Sequence, residues 1–434
     1  MKKYLVISLV LLLALSFSAP VTVTFWHAMS GGHGEALQEI IDMFNSQHPN
    51  IDVKGVYIGH YGDLNQKIMA AAAAETLPTM SQLYEDWTSK LISEGFLVPL
   101  QKFIDDPAIG LTKSELNDIP EVFIKDNTWK GTIYTMPFNK STSALFVNTD
   151  ALDMAGLDIP DTMEQFVDAC KDLTIDDDKD GAPEQYGFGL RPNIDTYLVF
   201  LRLNGGKVID PVTKHIYINT RPAIEALQLM HDLVYKNYKT GKDYSEPNHG
   251  VAFMQGGYLS GPFGDGKVAM YIGSIAGAPY VDKACKGKHD WALAMLPKWK
   301  DRDAAFMGTN LGVFTGATEA QQKAAWEFIK FLIRPDITAY WSMKTGYVPV
   351  RISAQKDPKY QQFVNANPDK KKAPLEQIQY GVLDPANLLE WSEIRTIVGN
   401  AVRDAMYNKK TPTEALNYAA KQIEQLLKQS EASK

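Results

Sequence analysis

The sequence predicts an α/β protein with more than one folding unit. Segments with strand and helix periodicity alternate through its N-terminal part, a pattern typical of a parallel sheet covered by helices. The 434 residues exceed the usual size of one domain, which is about 150 residues. The composition, 45% hydrophobic and 22% charged, is that of a globular chain and excludes a disordered or collagen-like one.

The first 18 residues are interpreted as a secretory signal. Two lysines precede an apolar run from Tyr4 to about Leu15, which is too short to cross a bilayer comfortably, and small residues fit cleavage near Ser18. No cysteine lies at the cleavage site, so we expect a soluble extracytoplasmic protein without a lipid anchor. A disulfide between Cys170 and Cys285 stays open, because spacing does not determine pairing.

After the signal, the hydrophobic pattern places the elements of a first unit in order. Alternating apolar residues predict strands at 21–26, 51–58 and 79–84. Helices are expected after the 27–34 loop, with Leu37, Ile40, Ile41 and Phe44 on one face, and at 63–75 and 87–92.

The middle of the chain begins a second pattern. Strands are predicted at 132–138 and 144–147, and the polar stretch 139–143 between them is a candidate crossover between lobes. Helices at 162–170 and 222–235 and a strand at 268–272 indicate a second unit with its own core. A strand at 311–314, a helix at 319–333 and a C-terminal helix that starts at the capping box 411–414 complete the chain.

Charge and motifs exclude several functions. Lys+Arg 44 against Asp+Glu 51 gives a net charge of −7, and without a basic block no nucleic-acid partner is expected. The glycine loop 31–34 has Leu37 where a dinucleotide motif needs glycine, and the P-loop-like 261–267 is followed by Val268 instead of Ser or Thr. No zinc-protease or serine-hydrolase motif is present.

An acidic stretch matches the first half of a calcium-binding loop. Carboxylates stand at its first, third and fifth positions and Gly181 at the sixth, but Gly187 occupies the place of the final bidentate Glu. The candidate ligands, four carboxylates and one backbone carbonyl, are Asp176, Asp178, Asp180, Ala182 and Glu184. A structural calcium ion and a solvated acidic turn both remain open, and no cofactor is expected to be required.

Four separated strings, at 25–29 (FWHAM), 137–142 (PFNKST), 344–349 (KTGYVP) and 395–397 (RTI), together with the terminal 411–412 helix, resemble one family. It is the extracellular solute-binding proteins of ABC importers, in the sugar-type group that contains the glycerol-3-phosphate-binding component. The resemblance implies a bilobed fold in which two α/β lobes, joined by hinge strands, close on a ligand. It implies an N-terminal lobe of 19–140 plus 309–350 and a C-terminal lobe of 141–308 plus 351–434, with hinge passages near Asn139, Thr309 and 347–351.

The same resemblance implies the ligand-binding residues. Seven positions match those of glycerol-3-phosphate binders: Tyr61, Glu85, Ser141, Ser274, Gly308, Tyr347 and Arg395. Trp26, His27 and Arg191 are further cleft candidates. A phosphate accepts hydrogen bonds only, so it needs donors such as the two adjacent N–H groups of the Arg395 guanidinium. Glu85 can accept hydrogen bonds from the glycerol hydroxyls. The tryptophans that the family member carries between Tyr186 and Asn204 are missing from this chain.

We therefore expect a monomeric, non-catalytic receptor that captures glycerol 3-phosphate or a related phosphorylated polyol and delivers it to an ABC permease. Two rival functions stay open: a receptor for a neutral sugar held by aromatic stacking, and a secreted glycosidase that uses Glu85 with another carboxylate. Two ordinary structural roles stay open as well. Arg395 could pair with Glu390, and Glu85 could cap the helix that begins near Trp87.

Overall fold

The computed structural model describes residues 19–241, 246–385 and 388–432, so the expected signal at 1–18 lies outside the described residues. The strands are β1 (Val21–His27), β2 (Ile51–Tyr57), β3 (Met80–Leu83), β4 (Thr128–Trp129), β5 (Thr132–Ile133), β6 (Met136–Pro137), β7 (Ser141–Asn148), β8 (Tyr186–Leu190), β9 (Tyr238–Thr240), β10 (Glu246–His249), β11 (Ala252–Met254), β12 (Val268–Ser274), β13 (Trp291–Ala294), β14 (Ala304–Met307), β15 (Asn310–Val313) and β16 (Gly381–Val382).

The helices are α1 (Gly31–Gln47), α2 (Tyr61–Ala73), α3 (Glu85–Ser93), α4 (Gln101–Ile104), α5 (Lys113–Asn117), α6 (Glu121–Asp126), α7 (Thr149–Ala155), α8 (Met163–Asp172), α9 (Ile194–Leu203), α10 (Arg221–Tyr235), α11 (Ser260–Gly264), α12 (Ala278–Cys285), α13 (Glu319–Leu332), α14 (Pro335–Thr345), α15 (Pro358–Ala366), α16 (Pro368–Glu376), α17 (Trp391–Met406) and α18 (Pro412–Ala432). The predicted α/β class is confirmed.

The first lobe is built on the sheet β2-β1-β3-β15-β6, in which β1 pairs in parallel with both β2 and β3. The predicted apolar face of α1 is confirmed, since Leu37, Ile40, Ile41 and Phe44 are all buried against one side of this sheet. Helices α2 and α3 pack a separate apolar cluster on the other side. Both faces are covered, as a parallel sheet requires.

The second lobe is built on the sheet β11-β8-β12-β7-β14-β16, and β13 also pairs with β7. All eight residues of β7 are buried, because helices cover both faces of this central strand. The C-terminal helices α17 and α18 pack against the same core. The protein is bilobed because each of the two sheets has its own core.

The chain passes between the two sheets at 138–140, from β6 to β7, and again at 308–309, from β14 to β15. An isolated bridge pairs Lys140 with Val348, so the segment after α14 lies beside the first passage. The strands that link the lobes therefore lie side by side, as hinge segments do.

Two predicted elements are wrong in detail. The strand expected at 132–138 is divided, because Lys130 and Gly131, both with positive φ, turn β4 back onto β5 while β6 joins the main sheet. The polar stretch 139–143 is not all crossover: its last three residues, serines and threonine, belong to β7 and pair with β12 and β14. The Ser141 hydroxyl pairs with that of Ser274 and the Thr142 hydroxyl with the Gln377 side chain, so these polar residues are buried. In the sequence, a run of polar residues usually indicates a loop.

The two cysteines are separate buried thiols, Cys170 in α8 and Cys285 in α12. Burial raises the pKa of Cys285 to about 11 and that of Cys170 well above its ordinary value. Among the described residues, no helix is long and apolar enough to cross a membrane.

Candidate ligand-binding site

Two tyrosines predicted as ligand-binding residues meet beside the hinge. Tyr61 is the first residue of α2, directly after β2, and its Oη lies 3.4 Å from that of Tyr347, which follows α14. Asn139 Nδ2 donates to Tyr61 Oη at 2.9 Å. Burial raises the pKa of both phenols, so each stays a neutral hydroxyl that can donate to a ligand.

Glu85 lies next to this pair as the first residue of α3, and its carboxylate is held by a buried lysine. Lys140 Nζ is 2.8 Å from Glu85 Oε1 and 2.6 Å from Asp126 Oδ2. Asn310 Nδ2 donates to the same Glu85 oxygen at 3.2 Å. Helix α3 has no side-chain N-cap hydrogen bond, so Glu85 does not have the capping role left open by the sequence.

The charges of this cluster are tightly coupled. Burial and the nearby charge of Asp126 raise the pKa of Glu85 well above its ordinary value, although Lys140 opposes them. Burial alone would lower the pKa of Lys140, but the two carboxylates outweigh it and raise that pKa. One ammonium thus faces two carboxylates in a site shielded from water.

The predicted serines come together where the lobes join. Ser141, the first residue of β7, and Ser274, the last residue of β12, have hydroxyl oxygens 2.6 Å apart. Gly308 lies between β14 and β15 with a φ of +107°, and an added Cβ there would be 2.0 Å from the carbonyl oxygen of Asn139. Only glycine fits this close approach of two hinge strands.

Arg395, in the second turn of α17, is ion-paired on two sides. Its guanidinium donates to Asp384 Oδ2 at 2.9 Å and to Asp195 Oδ1 at 2.5 Å. These two carboxylates outweigh the effect of burial and raise the pKa of the arginine. The pairing with Glu390 that the sequence left open does not occur, since Glu390 contacts Lys214 and Ser430 instead.

Residues of the first lobe also lie near this arginine. Burial raises the pKa of Asp86 in α3, against the opposing charge of Arg395 and a hydrogen bond with Ser392 of α17. Burial likewise raises the pKa of Tyr84, which lies close enough to Tyr347, Glu85, Asp195 and Arg395 for their charges to act on it. Helix α3 of the first lobe therefore meets α17 of the second lobe beside Arg395.

A second contact between the lobes joins α12 to α1. The ring of Tyr280 from α12 packs edge-on against His33 of α1, with centroids 5.5 Å apart. His33 Nε2 lies 3.1 Å from the carbonyl oxygen of Thr345, and its ring lies 5.4 Å from that of Tyr347.

The three further cleft candidates occupy different surroundings. Trp26 packs with α2 in the apolar cluster that Tyr61 and Tyr84 also border. His27 is buried beside the rings of Phe25 and Tyr57, and burial lowers its pKa to about 4.

Arg191 follows β8, and its guanidinium lies 5.0 Å from the ring centre of Tyr258. Its Nε is buried without a hydrogen-bond partner among the described residues.

A cavity of about 490 Å³ opens between the lobes next to the Arg395 ion pairs. Its wall includes Asp126 and Trp129 from the first lobe and Arg202, Asp384 and Trp391 from the second. This volume lies in the range of small-molecule sites, which is about 300–1,000 Å³. None of the seven predicted ligand-binding residues is among the described residues that line this cavity.

Sequence reasoning missed the charged partners of the predicted residues. Lys140 lies in the 137–142 string, and Asp195 lies in the 186–204 segment that lacks tryptophans. Both segments were noted in the sequence, but neither residue was assigned a role. No sequence pattern distinguishes Asp126 or Asp384 from the many other carboxylates in polar stretches. Their importance depends on the cation that the fold places beside each of them.

The acidic loop is brought together only in part. Oxygen atoms of Asp176, Asp178 and Glu184 converge within 4.8 Å of one another, whereas the grouping does not include Asp180. The Asp180 carboxylate instead accepts a hydrogen bond from the backbone N–H of Ala182 at 2.8 Å.

Comparison with known proteins identifies the family of the chain. Curated relatives include the sn-glycerol-3-phosphate-binding periplasmic protein UgpB of Pectobacterium atrosepticum, 27% identical over 97% of this chain and 95% of that protein. UgpB of Yersinia pseudotuberculosis is 27% identical over 98% and 97% of the two chains.

Similar solved structures include UgpB of Mycobacterium tuberculosis in complex with glycerophosphocholine (TM-score 0.80, 21% identity, 95% of this chain and 99% of that one). The GacH receptor of Streptomyces glaucescens, solved unliganded and with acarbose, has the same TM-score of 0.80 at 22% identity, again over 95% and 99% of the chains. At these identities the structures show the shared fold. Residues 39–370 match the family model for bacterial extracellular solute-binding proteins, and the chain belongs to that family.

Proposed function

We propose that this protein is a receptor of an ABC importer that binds glycerol 3-phosphate, or a related phosphorylated polyol, between its lobes. The observation that carries the proposal is the convergence of donors from both lobes: the Tyr61 and Tyr347 phenols, the Ser141 and Ser274 hydroxyls and the Arg395 guanidinium. Its relatives named as glycerol-3-phosphate-binding proteins, aligned over nearly the whole chain, support the same ligand.

The chemistry of the cleft suits a ligand with one anionic and one polyol end. A phosphate monoester accepts hydrogen bonds, which the hydroxyls and the guanidinium donate. The hydroxyls of glycerol are also donors, and Glu85 can accept from them. To reach Arg395, the phosphate has to take the place of Asp195, whose side chain is 58% exposed and so is the partner that can leave.

A second candidate ligand is a neutral sugar. Arg395 already holds two carboxylates and has Asp86 nearby, and a neutral ligand need not displace any of them. The 490 Å³ cavity beside these ion pairs gives room for sugar rings.

Calorimetry on the purified mature protein distinguishes the two ligands. The titrants are glycerol 3-phosphate, its choline diester, inorganic phosphate and maltose. The first proposal predicts that glycerol 3-phosphate binds, that added salt weakens the binding, and that Arg395→Gln weakens it by about 100-fold. Binding of maltose alone selects the sugar, and phosphate binding insensitive to salt and to Arg395→Gln contradicts the proposed role of the arginine.

We further propose that the protein acts without catalysis, outside the cytoplasmic membrane, as a monomer that presents its ligand to a permease. Closure of two lobes around a ligand is the signal that a membrane partner can read. Ligand recovered unchanged after long incubation with the protein, and a mature N-terminus near residue 19 in the exported protein, are the expected results. Hydrolysis of a glycoside such as maltose would instead support the glycosidase alternative.

A further inference from the structure

We infer that the loop between α8 and β8 binds one Ca²⁺ ion through Asp176, Asp178 and Glu184. This site lies in the second lobe and is independent of the ligand cleft. Each of the three residues offers a carboxylate oxygen, and these oxygens lie within 4.8 Å of one another. Two ligands on opposite sides of a calcium ion are separated by about 4.8 Å, because each Ca–O distance is about 2.4 Å. One ion can therefore reach all three.

The second observation is a buried carboxylate oxygen that the protein leaves without a partner. Asp176 is 0% exposed, and its Oδ1 has no hydrogen-bond partner among the described residues. A buried carboxylate oxygen without a partner costs free energy, since it has lost its water and gained nothing in return. A cation coordinated by Asp176, Asp178 and Glu184 would supply the missing interaction.

The neighbours of Asp176 contact its other carboxylate oxygen, Oδ2. His249 Nε2 lies 2.9 Å from Asp176 Oδ2, but it makes no aligned hydrogen bond there. The same Oδ2 accepts the backbone N–H of Gly181 at 3.2 Å, which leaves Oδ1 for another partner. Lys179 is the one lysine of the loop, and its backbone has a positive φ. Among the described residues it makes no ion pair with Asp176.

The donor set selects the type of ion. All three groups are carboxylates, hard oxygen ligands that suit Ca²⁺ or Mg²⁺ and not a thiolate-seeking metal. Asp178 and Glu184 are exposed side chains on a loop, and Ca²⁺ tolerates such flexible, irregular geometry, whereas Mg²⁺ demands a near-ideal octahedron. Water molecules and the backbone would complete the coordination.

The position of the loop explains what the ion would do. The loop is closed by an isolated bridge between Ile175 and Gln185, and Glu184 accepts the backbone N–H of Asp177 at 2.7 Å across it. The loop leads directly into β8, a strand of the central sheet. Calcium would thus tie the end of α8 to the start of β8 and stabilise the second lobe.

The test is calcium titration of the mature protein after dialysis against a chelator, by calorimetry and by thermal unfolding. We expect one equivalent of Ca²⁺ to bind with a dissociation constant between about 1 µM and 1 mM. At a hundredfold excess over that constant, the melting temperature should rise by about 5 °C. An equal concentration of Mg²⁺ should raise it by less than half as much.

The variants Asp178→Asn and Glu184→Gln separate metal ligation from folding, because both side chains are exposed, whereas Asp176 is buried and its loss can unfold the lobe. Each should weaken Ca²⁺ binding at least tenfold. The matched control is Asp177→Asn, which removes the same charge from the same loop at a residue outside the converging group and should bind Ca²⁺ within about threefold of the parent protein.

Two results overturn the inference. One is the absence of both binding heat and a thermal shift at Ca²⁺ concentrations up to about 10 mM, well above the expected range. The other is binding that Asp177→Asn weakens as strongly as Asp178→Asn and Glu184→Gln, since that result indicates attraction by net charge without a site.

Discussion

Asp195 accepts a hydrogen bond from Arg395 at 2.5 Å, so the cation expected to hold the ligand's phosphate already holds a carboxylate. The same guanidinium bonds Asp384 at 2.9 Å. In the function proposed above, ligand choice depends on what this arginine gains by exchanging Asp195 for another anion. A phosphate that binds bidentately and brings more charge can compete, whereas a neutral ligand leaves the pair intact.

Asp195→Asn should strengthen binding of glycerol 3-phosphate by about fivefold, because an exposed ion pair contributes about 1 kcal/mol or less and the phosphate no longer has to break it. Calorimetry of the variant and the parent protein measures the change. The control is Asp153→Asn, an exposed carboxylate of α7, which should leave the affinity unchanged. Equal or weaker binding in Asp195→Asn would show that Asp195 does not compete with the ligand.

Lys140→Met should lower the free energy of unfolding by about 3 kcal/mol or more, because it leaves the Glu85 and Asp126 carboxylates buried without their cation. Denaturant unfolding at neutral pH measures the loss. Lys125→Met is the matched control, since Lys125 pairs with Glu121 at the exposed surface and its removal should leave the stability unchanged. Similar stability of the two variants would mean that Lys140 contributes no more than a surface ion pair.

The stability of the first lobe should fall as the pH is lowered from 7 to 5, in part through His27. Burial lowers the pKa of His27 to about 4 in the folded protein, from 6.5 in the unfolded chain. The unfolded state then binds more protons over this range, so His27 alone should cost about 2 kcal/mol of stability between pH 7 and pH 5. His27→Leu should remove that part of the pH dependence in denaturant unfolding, and an unchanged slope would contradict it.

Gly308→Ala should destabilise the protein by about 2 kcal/mol or more, because the new Cβ meets the Asn139 carbonyl oxygen at 2.0 Å and the backbone φ is +107°. Gly316→Ala is the control, since nothing lies within 4 Å of a Cβ there. Thermal unfolding compares the two. Equal stability of the variants would show that the hinge strands can separate without cost.

Much of the fold was predictable because buried positions recur at regular intervals along a helix or a strand. The apolar face of α1 and the strands β1, β2 and β3 follow directly from periodicity, since helices and strands repeat at different intervals. The hinge was harder to predict. Ser141, with its neighbours in β7, has a polar side chain at a buried position, and its partner Ser274 lies 133 residues away. No local pattern shows that one hydroxyl will satisfy another.

By itself the sequence determined where several strands and helices of both lobes lie and which face of α1 is buried. Only the tertiary structure decided how the charges pair. Glu85 and Lys140 are 55 residues apart, and Asp195 and Arg395 are 200 apart. Periodicity reports whether a side chain is buried, but its electrostatic partner depends on how the elements of the two lobes are brought together. The ion pair of Arg395 with Asp195 therefore depends on the packing of α9 against α17.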